Sequence, residues 1–365
     1  MFEYLLITVV FCFEIFIISK TTELRRKSRL CAMLLFLQFW IFYGFRDYTV
    51  LPDTETYYRV YTHISSELKL GDINISDRFG IAYQSLEYLF KNNIGLSFIW
   101  FLSFVTFFIL WGSIGFLYKY SPITWISIFL FVISLDIFNN LIAIRQGIAL
   151  SIGLMSFPLL VRKRYMLFSI AIAFAYTFHS SALGYLLLIP IWMDSISYKT
   201  KLWIVLGGGI TVFLAYSFVF EIIETISGGE SRYLSTSKSK DGVNLVGIFS
   251  SLRTLGLIVL IFYLKRKRSN RTIVLFEEAL FLICLLDFAI SIFGIRFWIM
   301  GRFRLYFDPF LFVYISILYK QTRERLMVRV ALNLTFIYII LCALFLAYKR
   351  PEWIGLLPYK FYDSF

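Results

Sequence analysis

Long apolar segments separated by short polar connections run through almost the whole sequence, and this pattern limits the possible folds more than any other feature. Of the 365 residues, 59% are hydrophobic and 16% are charged, against roughly 25% charged in an ordinary soluble domain. Apolar segments of this length predict membrane-spanning helices. We therefore expect an all-α polytopic integral membrane protein whose residues 1–365 form one transmembrane domain. A soluble enzyme, a disordered chain and a secreted disulfide scaffold are excluded.

The apolar segments predict twelve membrane spans. These lie at about residues 2–19, 30–45, 95–118, 123–138, 141–160, 165–178, 181–193, 202–220, 246–264, 273–293, 303–319 and 330–347. The segments 165–178 and 181–193 are shorter than the roughly 20 residues that a simple span needs. We expect these two to be tilted, broken or re-entrant, which membranes tolerate where protein or water surrounds the backbone.

Basic residues orient this predicted topology. Of the 36 Lys and Arg residues, 20 lie in six short connections that alternate along the chain. The positive-inside rule puts these connections in the cytoplasm and both termini outside. The same residues explain the net charge of +13, so no nucleic-acid partner is predicted. Two longer connections then lie outside: residues 46–94, expected to be partly helical, and the Gly/Ser-rich residues 221–245, expected to be flexible.

Within residues 46–94, two segments favour helices. Asp53 follows Pro52 and precedes the sequence TETYYRVYTHI, which is typical of a helix N-cap. The later sequence IAYQSLEYLF has an apolar face, and we expect it to lie along the membrane surface.

Charged and polar residues that membrane spans rarely contain gather at the outer ends of the predicted spans. They are Arg145, His179, Arg253, Arg296, Arg302 and Arg304, with Asp53, Glu87 and Asp136 at the same face. Ordinary explanations stay open for all of them. Arg145 could snorkel to headgroups, Arg302 and Arg304 could be interfacial anchors, and Asp53 or His179 could serve a cap or turn. For Arg253, Arg296, Asp136 and Glu87 a structural role is favoured.

Several arginines without metal ligands suggest a particular chemistry. Arginine is permanently charged and binds phosphate through two parallel hydrogen bonds. Two or more arginines could hold a pyrophosphate and stabilise its charge as it leaves. The sequence has no DxD, HExxH, paired Cys/His or Walker A motif. It therefore predicts neither a metal site nor a cofactor.

The ordered segments GFRDYTVLPDTETYY, NNLIAIRQGIALSIGL, AFAYTFHSSAL and GRFRLYF resemble the EpsG-like, Wzy-type polysaccharide polymerases of bacterial envelopes. The resemblance runs from about residue 40 to 320. The positions that match are Asp53 and Tyr57, Arg145 and Gln146, Phe178 and His179, and Arg302 and Arg304. Asp47 lies near Asp53, so the residue with the acidic role stays open.

The resemblance implies a glycosyltransferase of GT-C-like architecture in the bacterial inner membrane, with its active site facing the periplasm. Its substrates would be undecaprenyl-pyrophosphate-linked oligosaccharide repeat units, and a Wzz-type chain-length regulator would be its partner. Arg145, Arg302 and Arg304 would hold the pyrophosphate. Asp53 or His179 would accept the proton of the acceptor hydroxyl, and Tyr57 would stack on a sugar ring. Gln146, Arg253 and Arg296 complete the expected substrate-binding set.

Two other functions remain open from the sequence. An O-antigen ligase uses the same donor and also needs outer arginines and a histidine. A flippase for the lipid-linked unit is the second alternative, although transporters keep polar groups near the midplane and often contain inverted repeats. The order of the motifs favours the polymerase.

Overall fold

The computed structural model describes residues 23–63, 80–214, 245–265, 272–296, 300–322, 326–349, 351 and 359–362. Regular structure within these ranges is helical, which confirms the all-α prediction, and the one β-bridge there joins Arg46 to Phe361. The α-helices are α1 (Leu24–Gly44), α2 (Thr54–His63), α3 (Ile81–Tyr88), α4 (Phe98–Tyr120), α5 (Thr124–Ile133), α6 (Asp136–Ile142), α7 (Ile144–Val161), α8 (Tyr165–Tyr176), α9 (Leu188–Trp192), α10 (Tyr198–Leu214), α11 (Leu245–Lys265), α12 (Thr272–Arg296), α13 (Met300–Arg304), α14 (Asp308–Gln321) and α15 (Leu326–Lys349). A π-helix, Leu89–Asn93, extends α3, and a 3₁₀-helix, Ser180–Leu187, precedes α9.

Five helices in the described ranges are long and apolar enough to cross a membrane: α4, α7, α11, α12 and α15. The count becomes six if α5 and α6, which are bent by 59° relative to each other, form one broken span. Twelve spans are therefore not confirmed, and the predicted span 2–19 lies outside the described residues. Residues 165–176 and 180–192 form only short apolar helices, in the region where the sequence pattern was weakest.

The prediction of one continuous span over residues 123–138 is wrong. Helix α5 ends at Ile133, and Leu135 adopts a left-handed backbone with φ of 65°. A left-handed residue with a side chain cannot continue a right-handed helix, so the chain bends there. The Ser134 hydroxyl donates a hydrogen bond of 2.6 Å to the Asp136 carboxylate, where α6 begins. A second break at Ala143 separates α6 from α7.

The chain divides into two compact units. Unit 1 comprises residues 1–155, 177–179 and 340–365, and unit 2 comprises residues 156–176 and 180–339. In unit 1, α1 packs along α4, and the Trp40 indole donates a hydrogen bond of 3.1 Å to the Ser103 carbonyl. In unit 2, α11 packs along α12, and their backbones come close at Gly247 and Gly294.

Candidate functional site

The residues predicted for the site divide between the two units. Unit 1 contains Asp53, Tyr57, Arg145, Gln146 and His179, whereas unit 2 contains Arg253, Arg296, Arg302 and Arg304. Each group is described within its own unit.

Arg46 holds three elements of unit 1 together. Its side chain is completely buried, and its guanidinium donates hydrogen bonds to the Tyr43 carbonyl, to the Thr54 hydroxyl (3.1 Å) and to the Leu141 carbonyl (3.0 Å). These acceptors lie in α1, at the first residue of α2 and near the end of α6. Arg46 therefore fixes the start of the helix that carries Tyr57 close to the break that precedes Arg145.

Helix α3 carries two buried polar residues of unit 1. Tyr83 and Glu87, four residues apart on one helical face, are both completely buried. The Tyr83 ring lies 5.6 Å from the Tyr57 ring and 5.8 Å from the Phe101 ring, measured between centroids. The buried face of α3 thus carries a carboxylate as well as an aromatic side chain, and its predicted position along the membrane surface stays a prediction.

The start of α3 is bound to the segment that ends in His179. The Ala82 amide donates a hydrogen bond of 3.2 Å to the Thr177 carbonyl. Gly80 has φ of 72°, and a Cβ at that position would lie 2.7 Å from the Thr177 carbonyl oxygen. Only glycine fits this turn without strain, because it tolerates both the backbone angle and the close approach. The turn thus brings residues 177–179 to the helix that carries Glu87.

The Glu87 carboxylate has an unusual environment. Burial raises its pKa to about 8, although the facing Tyr83 hydroxyl and Arg145 guanidinium both lower it. The Tyr61 hydroxyl, on α2, also faces Glu87 and has a raised pKa, because of burial first and the nearby carboxylate second. Tyr57, Tyr83, Glu87 and Arg145 are hereafter called the Glu87 cluster. Within it, the Arg145 guanidinium is near enough to the buried Glu87 carboxylate to lower its pKa.

Arg145 lies in the first turn of α7, just after the break at Ala143. Amides in the first turn of a helix have no acceptor within the helix and carry partial positive charge. The Gly147 amide reaches back to the Ala143 carbonyl at 2.8 Å. Arg145 is half-buried and Gln146 is buried, so a charged side chain and a helix N-terminus meet at one point.

Asn140, close to this break, is buried with neither of its side-chain amide atoms hydrogen-bonded to a described residue. A buried amide without partners is costly, so such groups commonly receive a water or a ligand. A Cβ on Gly147 would lie 2.4 Å from the Asn140 carbonyl oxygen, so the break depends on glycine at that position.

Of the remaining predicted residues of unit 1, Asp53 and His179 have half-buried side chains, and Tyr57 is buried among other aromatic rings. Asp53 directly precedes α2, and its backbone carbonyl accepts hydrogen bonds from the amides of Thr56 and Tyr57. Its side chain is half-buried, as is that of His179. Tyr57 is 5% exposed, so little of its ring is available for stacking on a sugar. Asp47, the alternative acid, accepts hydrogen bonds from the amide and hydroxyl of Thr49, which makes it a turn residue.

A buried ion cluster occupies unit 2. The Asp308 carboxylate accepts a hydrogen bond of 2.5 Å from the Arg253 guanidinium and forms an ion pair of 2.5 Å with the Arg304 guanidinium. The Asp287 carboxylate lies 3.5 Å from the Arg253 guanidinium and accepts a hydrogen bond of 2.7 Å from the Thr254 hydroxyl. These five residues are hereafter called the Asp308 cluster. Two arginines of the predicted substrate-binding set, Arg253 and Arg304, are thus already paired with carboxylates.

Arg302 and Arg304 point to different surroundings, although both lie on α13. Residues two apart on a helix do not share a face. Arg304 is buried against Asp308, whereas Arg302 is half-exposed. Burial raises the pKa of the Tyr306 hydroxyl, and the nearby Arg302 guanidinium opposes that rise. Arg296 ends α12, and its side chain lies outside the described residues. Of these arginines, the structure brings Arg253 and Arg304 together at Asp308.

Comparison with known proteins gives one match. The model of the EpsG family matches residues 29–361, which is most of the chain. The chain belongs to the EpsG family. No curated protein and no solved structure matches it.

Membership of the EpsG family, together with the apolar helices, indicates a membrane protein of polysaccharide biosynthesis that acts as a glycosyltransferase-like polymerase. Among the described residues, no three His, Cys, Asp or Glu side chains come together as metal ligands.

Sequence reasoning gave no functional role to five residues that organise these clusters. They are Arg46, Tyr83, Glu87, Asp287 and Asp308. Glu87 was noted at the outer face but given a structural role. A signal for it did exist: a Glu four residues after a Tyr on a short helix that follows a glycine. Asp287 and Asp308 gave a weaker signal, because single carboxylates near apolar segments do not reveal which arginines they meet.

Proposed function

We propose that this protein polymerises lipid-linked oligosaccharide repeat units, with Arg145 binding the pyrophosphate of an undecaprenyl-pyrophosphate donor. The observation that carries the proposal is the position of Arg145 at the N-terminus of α7, directly after a break in apolar helices. Broken helices inside membranes commonly present their N-termini to anionic groups of a substrate. Arginine adds a permanent charge and a bidentate fork that fits phosphate.

Besides binding the pyrophosphate, the residues of the site must stabilise the leaving group and accept one proton from the acceptor. The bond between the anomeric carbon of the donor and its phosphate oxygen breaks, and the acceptor hydroxyl oxygen bonds to that carbon. The departing pyrophosphate takes the bonding electrons, and the acceptor hydroxyl loses a proton. Arg145 and the first-turn amides of α7 stabilise the charge on the leaving group. Asp53 and His179 remain the candidates that accept the proton, because both are half-buried and in the same unit as Arg145.

The proposal places this site at the periplasmic side of the bacterial inner membrane. Support comes from the basic residues in alternate connections, which face the cytoplasm by the positive-inside rule. Lipid-linked repeat units present their pyrophosphate at that periplasmic surface after translocation. A Wzz-type regulator remains the proposed partner for chain length.

Gene deletion with complementation tests this function. We expect the deletion strain to make core lipid with a single repeat unit, or no polymer where the product is a capsule, and wild-type protein to restore the ladder of chain lengths. Arg145→Ala is expected to restore no ladder at normal protein levels, and Arg145→Lys only a weak one, since lysine lacks the bidentate fork.

The matched control is Arg59→Ala, because Arg59 is an exposed arginine of the same unit that pairs with the exposed Glu55. It is expected to restore the full ladder. A full ladder from Arg145→Ala contradicts the proposed role of Arg145. Bare core lipid in the deletion strain indicates a ligase or a flippase instead.

A further inference from the structure

Helix α15 is the most exposed of the five candidate spans. Only 11% of its most apolar stretch is buried, against 50–67% for α4, α7, α11 and α12. One face of α15 packs within unit 2, where the Tyr338 hydroxyl donates a hydrogen bond of 3.0 Å to the Phe249 carbonyl on α11. On α14, the Tyr319 ring centroid lies 5.5 Å from the Arg329 guanidinium. The opposite face of α15 is exposed.

The exposed side chains of α15 recur every three or four residues, so they form one stripe along the helix. The stripe contains Leu326, Val330, Asn333, Ile337, Leu341 and Leu344. These residues are hereafter called the Asn333 surface. Five of the six are apolar, and lipid chains are able to cover such side chains. The amide is therefore the feature that makes this surface unusual.

Asn333 lies inside the span. It comes seven residues after Leu326, or about 10 Å along the helix axis. Among the described residues of the five candidate spans, it is the one exposed amide, acid or base away from a helix end. Its side chain makes no hydrogen bond to a described residue. Hydrocarbon offers an amide no partner, so the desolvated group is costly until a neighbouring helix supplies one.

We propose that the Asn333 surface binds a second copy of this chain through a parallel pair of α15 helices. Every copy has the same orientation in the membrane, because basic connections determine it. A two-fold axis along the membrane normal therefore brings Asn333 of one copy to Asn333 of the other at equal depth. Each amide has both a donor and an acceptor, so each NH2 group donates to the carbonyl oxygen of its counterpart.

A second copy fits this surface better than a different protein does. A different membrane protein would need a polar group of its own at the depth of Asn333, whereas a second copy brings the matching amide by symmetry. This inference goes beyond the proposed polymerisation and does not depend on it.

Dimerisation of the purified full-length protein in liposomes tests the proposal. Single-molecule photobleaching of a fluorescent label measures the dimer fraction over a range of protein-to-lipid ratios. For the wild type we expect a reversible equilibrium between monomer and dimer. Asn333→Leu removes the amide but keeps an apolar surface. It is expected to weaken dimerisation about 3–30-fold, the range that corresponds to one hydrogen bond between helices in a membrane.

The matched control is Val259→Leu, because Val259 is exposed on α11 in the same unit but lies outside the Asn333 surface. It is expected to keep the wild-type equilibrium. Asn333→Gln retains an amide and is expected to dimerise more strongly than Asn333→Leu. Thermal unfolding of each variant shows that it is folded, and we expect little change because no described residue binds the Asn333 amide.

Disulfide formation in native membranes identifies the partner. The four natural cysteines are first replaced by alanine. Asn333→Cys is then expected to give a disulfide-linked dimer of this chain on oxidation, and Val259→Cys none.

Three results would overturn the proposal. The first is wild-type protein that stays monomeric at every ratio, because lipid then covers the Asn333 surface. The second is an Asn333→Leu equilibrium equal to that of the wild type. The third is an Asn333→Cys protein that becomes linked to a different membrane protein and not to a second copy.

Discussion

At the scale of single residues, the two clusters use arginine in different ways. Arg145 stands at a helix N-terminus beside a buried acid that is mostly protonated at neutral pH. Arg253 and Arg304 instead meet ionisable carboxylates at hydrogen-bonding distance. Charge pairing of this kind satisfies a buried guanidinium but leaves it less able to bind a further anion. Under the proposed function, Arg145 is the arginine that binds the pyrophosphate, because it lies in the first turn of α7.

Asp308 provides a stability test of the paired arginines. Asp308→Asn removes the charge that bridges Arg253 and Arg304 and leaves two buried guanidiniums poorly compensated. Breaking a buried pair in this way costs about 3–5 kcal/mol, so thermal unfolding in detergent should occur at a clearly lower temperature.

The matched control for this change is Asp194→Asn. Asp194 pairs with Lys163 in the same unit, but both side chains are more than 60% exposed. Exposed ion pairs contribute about 0–1 kcal/mol, so the unfolding temperature should hardly change. Equal unfolding temperatures for the two variants would show that the Asp308 cluster is not a buried ion network.

Positions of individual side chains were only partly predictable from the sequence. Polar residues at the outer ends of spans drew attention to Arg145 and His179, and the structure places both in the same unit as Asp53 and Tyr57. The pairing of Arg253 with Asp308, 55 residues apart, was not predictable, since sequence spacing says nothing about contacts between distant helices. The splitting of Arg302 from Arg304 could be foreseen, because residues two apart on a helix face different directions.

At the scale of helices, α11 and α12 pack with their backbones close together at Gly247 and Gly294. A Cβ on Gly247 would lie 2.6 Å from the backbone of Gly294 and Ile295, which cannot move aside easily. Gly247→Ala is therefore expected to force α11 and α12 apart and to lower the unfolding temperature by several degrees. Gly256→Ala, on the same helix, is the control, because nothing lies within 4 Å of its Cβ position.

The control substitution should be neutral or slightly stabilising, since alanine favours helix more than glycine does. Thermal unfolding of both variants, measured side by side in one detergent, distinguishes the two effects. Matching unfolding temperatures would mean that α11 and α12 do not meet at Gly247.

Helices were easier to predict than their breaks. The apolar runs gave α4, α11, α12 and α15 nearly to their ends, because a long apolar run has few alternatives to a spanning helix. The breaks at Leu135 and Ala143 were missed. Neither position carries Gly or Pro, which are the residues that usually indicate a helix break in a sequence. The break before Arg145 comes instead from tertiary packing, in which Gly147 lies against the Asn140 carbonyl.

At the scale of the whole molecule, the chain is an all-helical membrane protein of the EpsG family. Family membership supplies the class of reaction, and the place of the pyrophosphate at Arg145 is a proposal that rests on the position of this residue at the start of α7. The sequence alone did not reveal the Glu87 cluster, because Glu87 resembles an ordinary loop carboxylate until its complete burial is seen.

The most direct test of the central claim is reconstituted polymerisation. Purified protein in proteoliposomes would receive a synthetic undecaprenyl-pyrophosphate-linked repeat unit in buffer with EDTA, and the products would be separated by length. We predict that the wild type forms a ladder of chain lengths, since Arg145 stabilises the leaving group without a metal ion, and that Arg145→Ala forms none. A ladder from Arg145→Ala, or a wild-type ladder that requires a divalent cation, would contradict the account.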